Sequence, residues 1–103
     1  MEQQNLEAIM GLIIHSGNAK SDAAEAIQAA KRADFVESES KISAAENALV
    51  EAHHAQTGLL TKEAQGNNME ISLLAVHSQD HLMTSIAFTD LAKEIVDLYK
   101  RID

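Results

Sequence analysis

The chain has 103 residues, of which 46% are hydrophobic and 3% aromatic, a length that fits one domain spanning residues 1–103 and suffices to bury a small core. Its formal net charge of -8 and its few aromatic side chains argue against nucleic acid or anionic lipid as a binding partner. The absence of cysteine excludes disulfides, thiolate metal sites and a cysteine nucleophile.

The first residues, MEQQNLEAIM, are acidic and polar. They lack the basic start and apolar centre of a signal peptide, and no later apolar stretch approaches the ~18 residues of a membrane span. We therefore expect a cytoplasmic protein that is not inserted into a membrane.

Long helices are the predicted elements, because proline is absent and alanine is abundant. Apolar residues at helical spacing predict a first helix from about Gln3 to Ala33. Asp34, with Glu37 three residues later, is a capping-box-like start for a second helix. Gly66 is expected to close that second helix in a left-handed conformation.

A third helix is predicted from about Met69 to Arg101, because Asn67 followed by Glu70 repeats the same start signal. The connections between the helices are short, so consecutive helices should pack antiparallel. The sequence therefore predicts an all-α, up-down-up three-helix bundle.

The third helix carries a polar trio, His77, Asp80 and His81, on its apolar side. At 100° per residue, these apolar and neutral residues lie within about 60° of His77: Leu73, Leu74, Thr84, Phe88, Leu91, Ala92, Ile95, Leu98, Tyr99 and Ile102. The N-terminal half of the helix is apolar on its other sides as well. Two neighbouring helices cannot cover such a helix, which predicts a further subunit packed against it with the third helix central.

Burying an unpaired carboxylate or imidazole is costly, so the trio must be paired, hydrated or functional. Three interpretations follow from the residues alone. His77 and His81 are satisfied core histidines, with Asp80 capping or bonding one of them. Alternatively, the trio supplies three metal ligands from one turn. In the third interpretation one histidine is a covalent nucleophile that the other groups orient.

Several motifs resemble one known family. They are GLIIHSGNAKS at 11–21, ADF at 33–35, EAHHAQTGLLTKEAQG at 51–66, VHSQDHLMT at 76–84 and DLAKEIVDLYKR at 90–101. Together they resemble the IIA component of the lactose/cellobiose (N,N'-diacetylchitobiose) family of the bacterial phosphoenolpyruvate-dependent sugar phosphotransferase system. The sequence departs mildly from the family at Ser78, where alanine or glycine is frequent, and at Ala33, where glycine is usual.

The resemblance implies a homotrimer of three-helix subunits, with nine helices in all. It implies that His77 takes a phosphoryl group from phospho-HPr and passes it to a cysteine of the cognate IIB component, linking the chain to the membrane IIC component. His81, one turn later, is the best local donor to the phosphoryl oxygens; a merely structural role is the alternative. Gln79 lies on the opposite side of the helix and would serve the His77 of a neighbouring subunit; an exposed or interhelical glutamine is the alternative.

Asp80 presents a tension, because a carboxylate beside an incoming phosphoryl dianion is repulsive. The resemblance implies that Asp80 is a metal ligand rather than a catalytic group. The resemblance implies that three copies of Asp80 share one metal ion at the trimer axis. Magnesium, one per trimer, suits such oxygen ligands. Its role would be structural.

Two other functions remain open from the sequence. One is a non-enzymatic helical oligomerisation or scaffold protein with a structural metal site. The other is a two-component histidine phosphotransfer domain, which normally has a lysine and glycine after its histidine and is therefore the weaker choice. His53 and His54 are expected to have packing or solvent roles. The transported sugar, whether lactose, cellobiose or chitobiose, is chosen mainly by the IIC component.

Overall fold

The computed structural model describes residues 1–103 and contains three α-helices and no strand: α1 (Gln3–Lys31), α2 (Phe35–Ala64) and α3 (Leu73–Ile102). The molecule measures 53 × 20 × 19 Å. A 30-residue helix is about 45 Å long, so the three helices lie side by side along the long axis. The predicted three-helix bundle is confirmed. None of the three helices contains an apolar stretch of the length needed to cross a bilayer.

The α1–α2 turn is closed by paired backbone hydrogen bonds. The N–H of Asp34 donates to the carbonyl of Ala29 at 3.0 Å, and the N–H of Ala33 donates to the carbonyl of Ala30 at 3.0 Å. This Schellman arrangement needs a left-handed residue, and Ala33 supplies it with φ 59°. The Asp34 side chain accepts from the N–H of Glu37 at 3.1 Å, which confirms the predicted N-cap. The helix α1 ends two residues earlier than predicted.

Replacing Ala33 with glycine should stabilise the protein. The left-handed conformation of Ala33 places its Cβ close to the backbone, which costs roughly 1–2 kcal/mol, and the larger unfolded-state entropy of glycine offsets part of the gain. We expect a net increase of about 0.5–1 kcal/mol in the free energy of unfolding, measured by urea denaturation at fixed protein concentration. Ala44→Gly, inside α2, is the matched control and should destabilise by about 1 kcal/mol. A loss of stability in Ala33→Gly would contradict this explanation of the turn.

The α2–α3 connection differs from the prediction at its far end. Gly66 has φ 90°, as expected, and the N–H of Asn67 donates to the carbonyl of Lys62 at 2.9 Å. Asn67 therefore helps to end α2 and does not start α3. The helix α3 begins four residues later than predicted, where the hydroxyl of Ser72 accepts from the N–H of Ala75 at 3.2 Å.

The bundle core is built mainly from small side chains at alternating spacings of three and four residues. This spacing is typical of coiled-coil packing. The buried positions with this spacing are Ile9, Leu12, Ser16, Ala19, Ala23, Ala26 and Ala30 in α1, and Ala75, Ser78, Leu82, Ser85, Thr89, Ala92 and Val96 in α3; Ala29 is buried as well. Because small residues fill the interior, many larger apolar side chains of α3 are left on the outside.

Three of the five buried hydroxyl groups in this core donate to backbone carbonyls, whereas those of Ser16 and Thr89 have no partner. The hydroxyl of Ser85 in α3 donates to the carbonyl of Ser16 in α1 at 2.9 Å. Ser78 is fully buried, and its hydroxyl donates to the carbonyl of Ala75 at 2.7 Å. A serine is therefore tolerated at this inward position, where alanine or glycine would be the simpler choice, because its one polar atom is paired.

Candidate functional site

The polar trio lies on the outer side of α3, in its first three turns. Ser78 and Leu82 take the inward positions of this segment, so the face with His77 and Asp80 is turned to the surface. His77 and Asp80 are exposed, and His81 is half-buried. The interpretation of His77 as a satisfied core histidine is therefore wrong for the single chain.

The two histidines of the trio are in ring contact. The ring centroids of His77 and His81 are 4.7 Å apart, and the rings are nearly perpendicular at 84°. The Nδ1 atom of His81 is buried and has no hydrogen-bond partner, whereas its Nε2 atom is accessible. An N–H buried without an acceptor is costly, so the neutral ring favours the tautomer with its proton on Nε2. His81 is thus suited to donate one hydrogen bond toward a group bound at His77.

Asp80 is the one carboxylate of the trio, and its side chain has no partner in the chain. Its carboxylate forms no ion pair, and only its backbone carbonyl is used, accepting from the hydroxyl of Thr84 at 2.9 Å. No three histidine or acidic side chains of one chain converge as a metal-binding group. The interpretation of the trio as a three-ligand site within one subunit is therefore not supported. The carboxylate of Asp80 is therefore free to bind a cation or a hydrogen-bond donor placed beside this face.

Gln79 faces α2, on the side of α3 away from His77. The Nε2 atom of Gln56 in α2 donates to the Oε1 atom of Gln79 at 2.7 Å. Both amides border a cavity of about 280 Å³ between the end of α2 and the start of α3, which Met69, Ile71 and Val76 also line. Gln79 lies on the predicted side of α3, and in the single chain it is an interhelical glutamine, the alternative stated from the sequence. Its role toward the His77 of a neighbouring subunit stays a prediction, and its partner Gln56 was not predicted. The only sequence signal was a glutamine in the inward repeat of α2, where an apolar residue is expected.

An apolar stripe continues from His77 along the exposed side of α3. His77, Thr84, Leu91 and Leu98 recur every seven residues, and Leu73 lies on the same side. Their leucine side chains are largely accessible, with relative exposures of 85% for Leu73, 62% for Leu91 and 55% for Leu98. Exposed leucines grouped along one helix face are typical of a protein interaction surface.

The remaining titratable groups lie apart from the trio. His53 and His54 are exposed on α2 and make no ring contact with His77. Lys93 pairs with Glu46 at 3.0 Å, and this hydrogen-bonded ion pair raises the pKa of Lys93 above its usual value. Such exposed pairs join helices without contributing much stability. Within one chain, neither these histidines nor this ion pair forms a hydrogen bond with the side chains of the trio.

Comparisons with known proteins agree with this geometry. The family model of the "PTS system, Lactose/Cellobiose specific IIA subunit" matches residues 7–100. The chain is 44% identical over 90 residues to the lactose-specific EIIA component of the PTS system of Streptococcus mutans serotype c, covering 87% of this chain and 86% of that protein.

Two solved structures are also similar. The crystal structure of the PTS cellobiose-specific enzyme IIA from Bacillus anthracis superposes with a TM-score of 0.95 at 44% identity, covering 99% of this chain and 94% of that one. A solution structure of the IIA(chitobiose)–HPr complex of the N,N'-diacetylchitobiose branch of the Escherichia coli phosphotransferase system superposes with a TM-score of 0.83 at 39% identity. The match covers 99% of this chain and 98% of that one.

Proposed function

The chain belongs to the family of lactose/cellobiose-specific IIA subunits of the phosphotransferase system, which transfer phosphoryl groups, and we propose that His77 is its phosphocarrier residue. His77 accepts the phosphoryl group from phospho-HPr and donates it to a cysteine of the cognate IIB component. The observation that carries this proposal is the exposed His77 imidazole, in edge-to-face contact with His81 at 4.7 Å. HPr as donor is supported by the structural similarity to a IIA protein solved in complex with HPr.

The transfer needs an unprotonated ring nitrogen on His77 and no general base. The lone pair of this nitrogen attacks phosphorus, a new N–P bond forms, and the N–P bond to the histidine of HPr breaks with its electron pair returning to that ring. In the second step a thiolate of IIB attacks, an S–P bond forms and His77 recovers its lone pair. Protonation of His77 removes the lone pair and stops the first step. Positioning and hydrogen-bond donors supply most of the acceleration in reactions of this type.

His81 is the donor that we assign to the phosphoryl group within the same subunit. Its Nδ1 atom is buried, so its Nε2–H is the group able to face the phosphoryl oxygens. A hydrogen bond from a neutral donor to an anion is stronger than one between neutral groups. The hydrogen bond from the Nε2–H of His81 therefore stabilises the phosphorylated state of His77.

The working assembly in this proposal is a homotrimer of nine helices with α3 at its centre. The exposed leucines of α3 and the small-residue core support it, because each subunit leaves its larger apolar residues uncovered on one side. At the subunit seam, where the α3 helices of neighbouring subunits meet, Gln79 of one subunit donates a hydrogen bond to the phosphoryl group on His77 of a neighbour. The site is then incomplete in a single chain.

A magnesium ion shared by three copies of Asp80 fits the donor chemistry of this face. Asp80 is exposed, unpaired and on the same stripe as Leu91, so three carboxylates would meet wherever three α3 helices meet. Hard cations such as magnesium take carboxylate oxygens and retain water. The ion neutralises the three carboxylates and is structural; the phosphoryl transfer needs only His77, His81 and Gln79.

The biological role that follows is uptake and phosphorylation of a β-linked disaccharide, with the chain acting in the cytoplasm and the membrane IIC component carrying the sugar. Proteins of this fold named for lactose, cellobiose and chitobiose are all similar to the chain. The bundle itself therefore does not select among these sugars.

The proposal is tested by incubating the wild-type chain with labelled phosphoenolpyruvate, Enzyme I and HPr. We expect one phosphate per chain in an acid-labile, alkali-stable linkage, and its loss when purified IIB is added. Omitting HPr is the control and should prevent labelling. A folded chain that never takes up phosphate would instead support the scaffold function.

A further inference from the structure

A hydrogen bond between two helices fixes the side-chain amide of Gln79. Gln56 Nε2 donates to Gln79 Oε1 at 2.7 Å, and neither amide has another side-chain hydrogen bond. Both residues are half-buried beside a cavity that Met69, Ile71 and Val76 also line. These apolar neighbours reduce competition from water, which strengthens the bond and holds the amide plane in one orientation.

The direction of this bond decides which atoms Gln79 presents to a ligand. A carboxamide has an acceptor oxygen and a donor NH₂ that point in different directions within one plane. With its oxygen held toward α2, Gln79 keeps both N–H groups free on the other side. The reversed bond, with Gln79 donating to Gln56, would leave the carbonyl oxygen of Gln79 facing outward.

We propose that Gln56 is a positioning residue for phosphoryl transfer. It holds the oxygen of Gln79 toward α2, so that the NH₂ group of Gln79 faces the phosphoryl group on His77 of a neighbouring subunit. This inference rests on the proposed function, in which Gln79 acts across the subunit seam. A phosphoryl dianion is stabilised by N–H donors and repelled by a carbonyl oxygen. The orientation of the amide therefore decides whether Gln79 stabilises or destabilises the phosphoryl group.

The test is the rate at which phospho-HPr labels Gln56→Glu and Gln56→Met chains. Glutamate has nearly the shape of glutamine, but its carboxylate only accepts hydrogen bonds. Gln79 must then rotate its NH₂ toward the new carboxylate on α2 and present its oxygen to the phosphoryl group. We expect Gln56→Glu to be labelled about tenfold more slowly than the wild-type chain, because one charge-assisted hydrogen bond to the phosphoryl group is lost. Gln56→Met should be slowed less than Gln56→Glu. If Gln56 acted only through packing, Gln56→Met should be labelled more slowly than Gln56→Glu, because glutamate conserves the shape of glutamine better than methionine does.

The same substitution in a Gln79→Ala chain separates positioning from direct repulsion by the introduced carboxylate. If Gln56 acts through Gln79, Gln56→Glu should have little further effect in the Gln79→Ala background. Gln28→Glu, on the exposed side of α1, controls for the change in net charge and should be labelled at the wild-type rate. Circular dichroism spectra establish that each variant is folded.

Two results would overturn the inference while leaving the carrier function intact. One is a wild-type labelling rate in Gln56→Glu, and the other is an undiminished slowing by Gln56→Glu in the Gln79→Ala chain. Failure of the wild-type chain to accept phosphate would overturn the proposed function as well, so the two failures are distinguishable.

Discussion

Replacing His77 with alanine should give a folded protein that accepts no phosphate from phospho-HPr. His77 is exposed and is not one of the buried positions of α3, so its loss removes no core contact. Deleting a covalent nucleophile removes the reaction itself, and we expect the labelling rate to fall by at least about 10³-fold. The measurement is radiolabel incorporation from phosphoenolpyruvate, with circular dichroism to establish the fold.

The matched control for this substitution is His54→Ala. His54 is also exposed and also on a helix, but it lies on α2 and makes no ring contact with His77. It should be labelled at the wild-type rate. Full labelling of His77→Ala, or loss of label in His54→Ala, would show that another histidine is the carrier.

The helical elements were predictable because their ends are marked by local chemistry. Asp34 caps α2 through the N–H of Glu37, and Gly66 adopts the left-handed conformation that ends the same helix. The start of α3 was misplaced because Asn67 carries the same local signal as a cap. In the folded chain the backbone of Asn67 is used to end α2, and Ser72 becomes the cap of α3.

The residues of the candidate site can be chosen from the sequence and stay predictions, whereas their surroundings are only partly visible there. A polar trio on an apolar helix face is visible in the sequence, and its outward orientation agrees with the expectation that another subunit covers it. The Gln56–Gln79 bond joins residues 23 apart in sequence, so no local pattern shows it. The shared ion at Asp80 and the trimer depend on other copies of the chain and stay predictions.

Replacing Leu91 with glutamate should convert the proposed trimer to monomers. Leu91 is 62% exposed in the single chain and lies two heptads after His77 on the apolar stripe of α3. In a trimer centred on α3, the substitution buries three carboxylates close together, at a cost of several kcal/mol for each. The monomer fold should persist, because Leu91 makes no part of the buried core. Sedimentation velocity across a range of protein concentrations measures the change, and Val36→Glu, exposed at the start of α2, is the control that should remain trimeric.

Asp80→Leu is the opposite substitution on the same stripe and should have the opposite effect. In the proposed trimer it removes three like charges from the axis and replaces them with apolar groups, so the trimer should persist without a metal ion. Chelation with EDTA should then weaken the wild-type trimer by exposing its carboxylates to one another, and should leave Asp80→Leu unchanged. If Leu91→Glu remained trimeric, or if Asp80→Leu became monomeric, α3 would not be the centre of the assembly. In that case Gln79 would not lie beside the His77 of a neighbouring subunit.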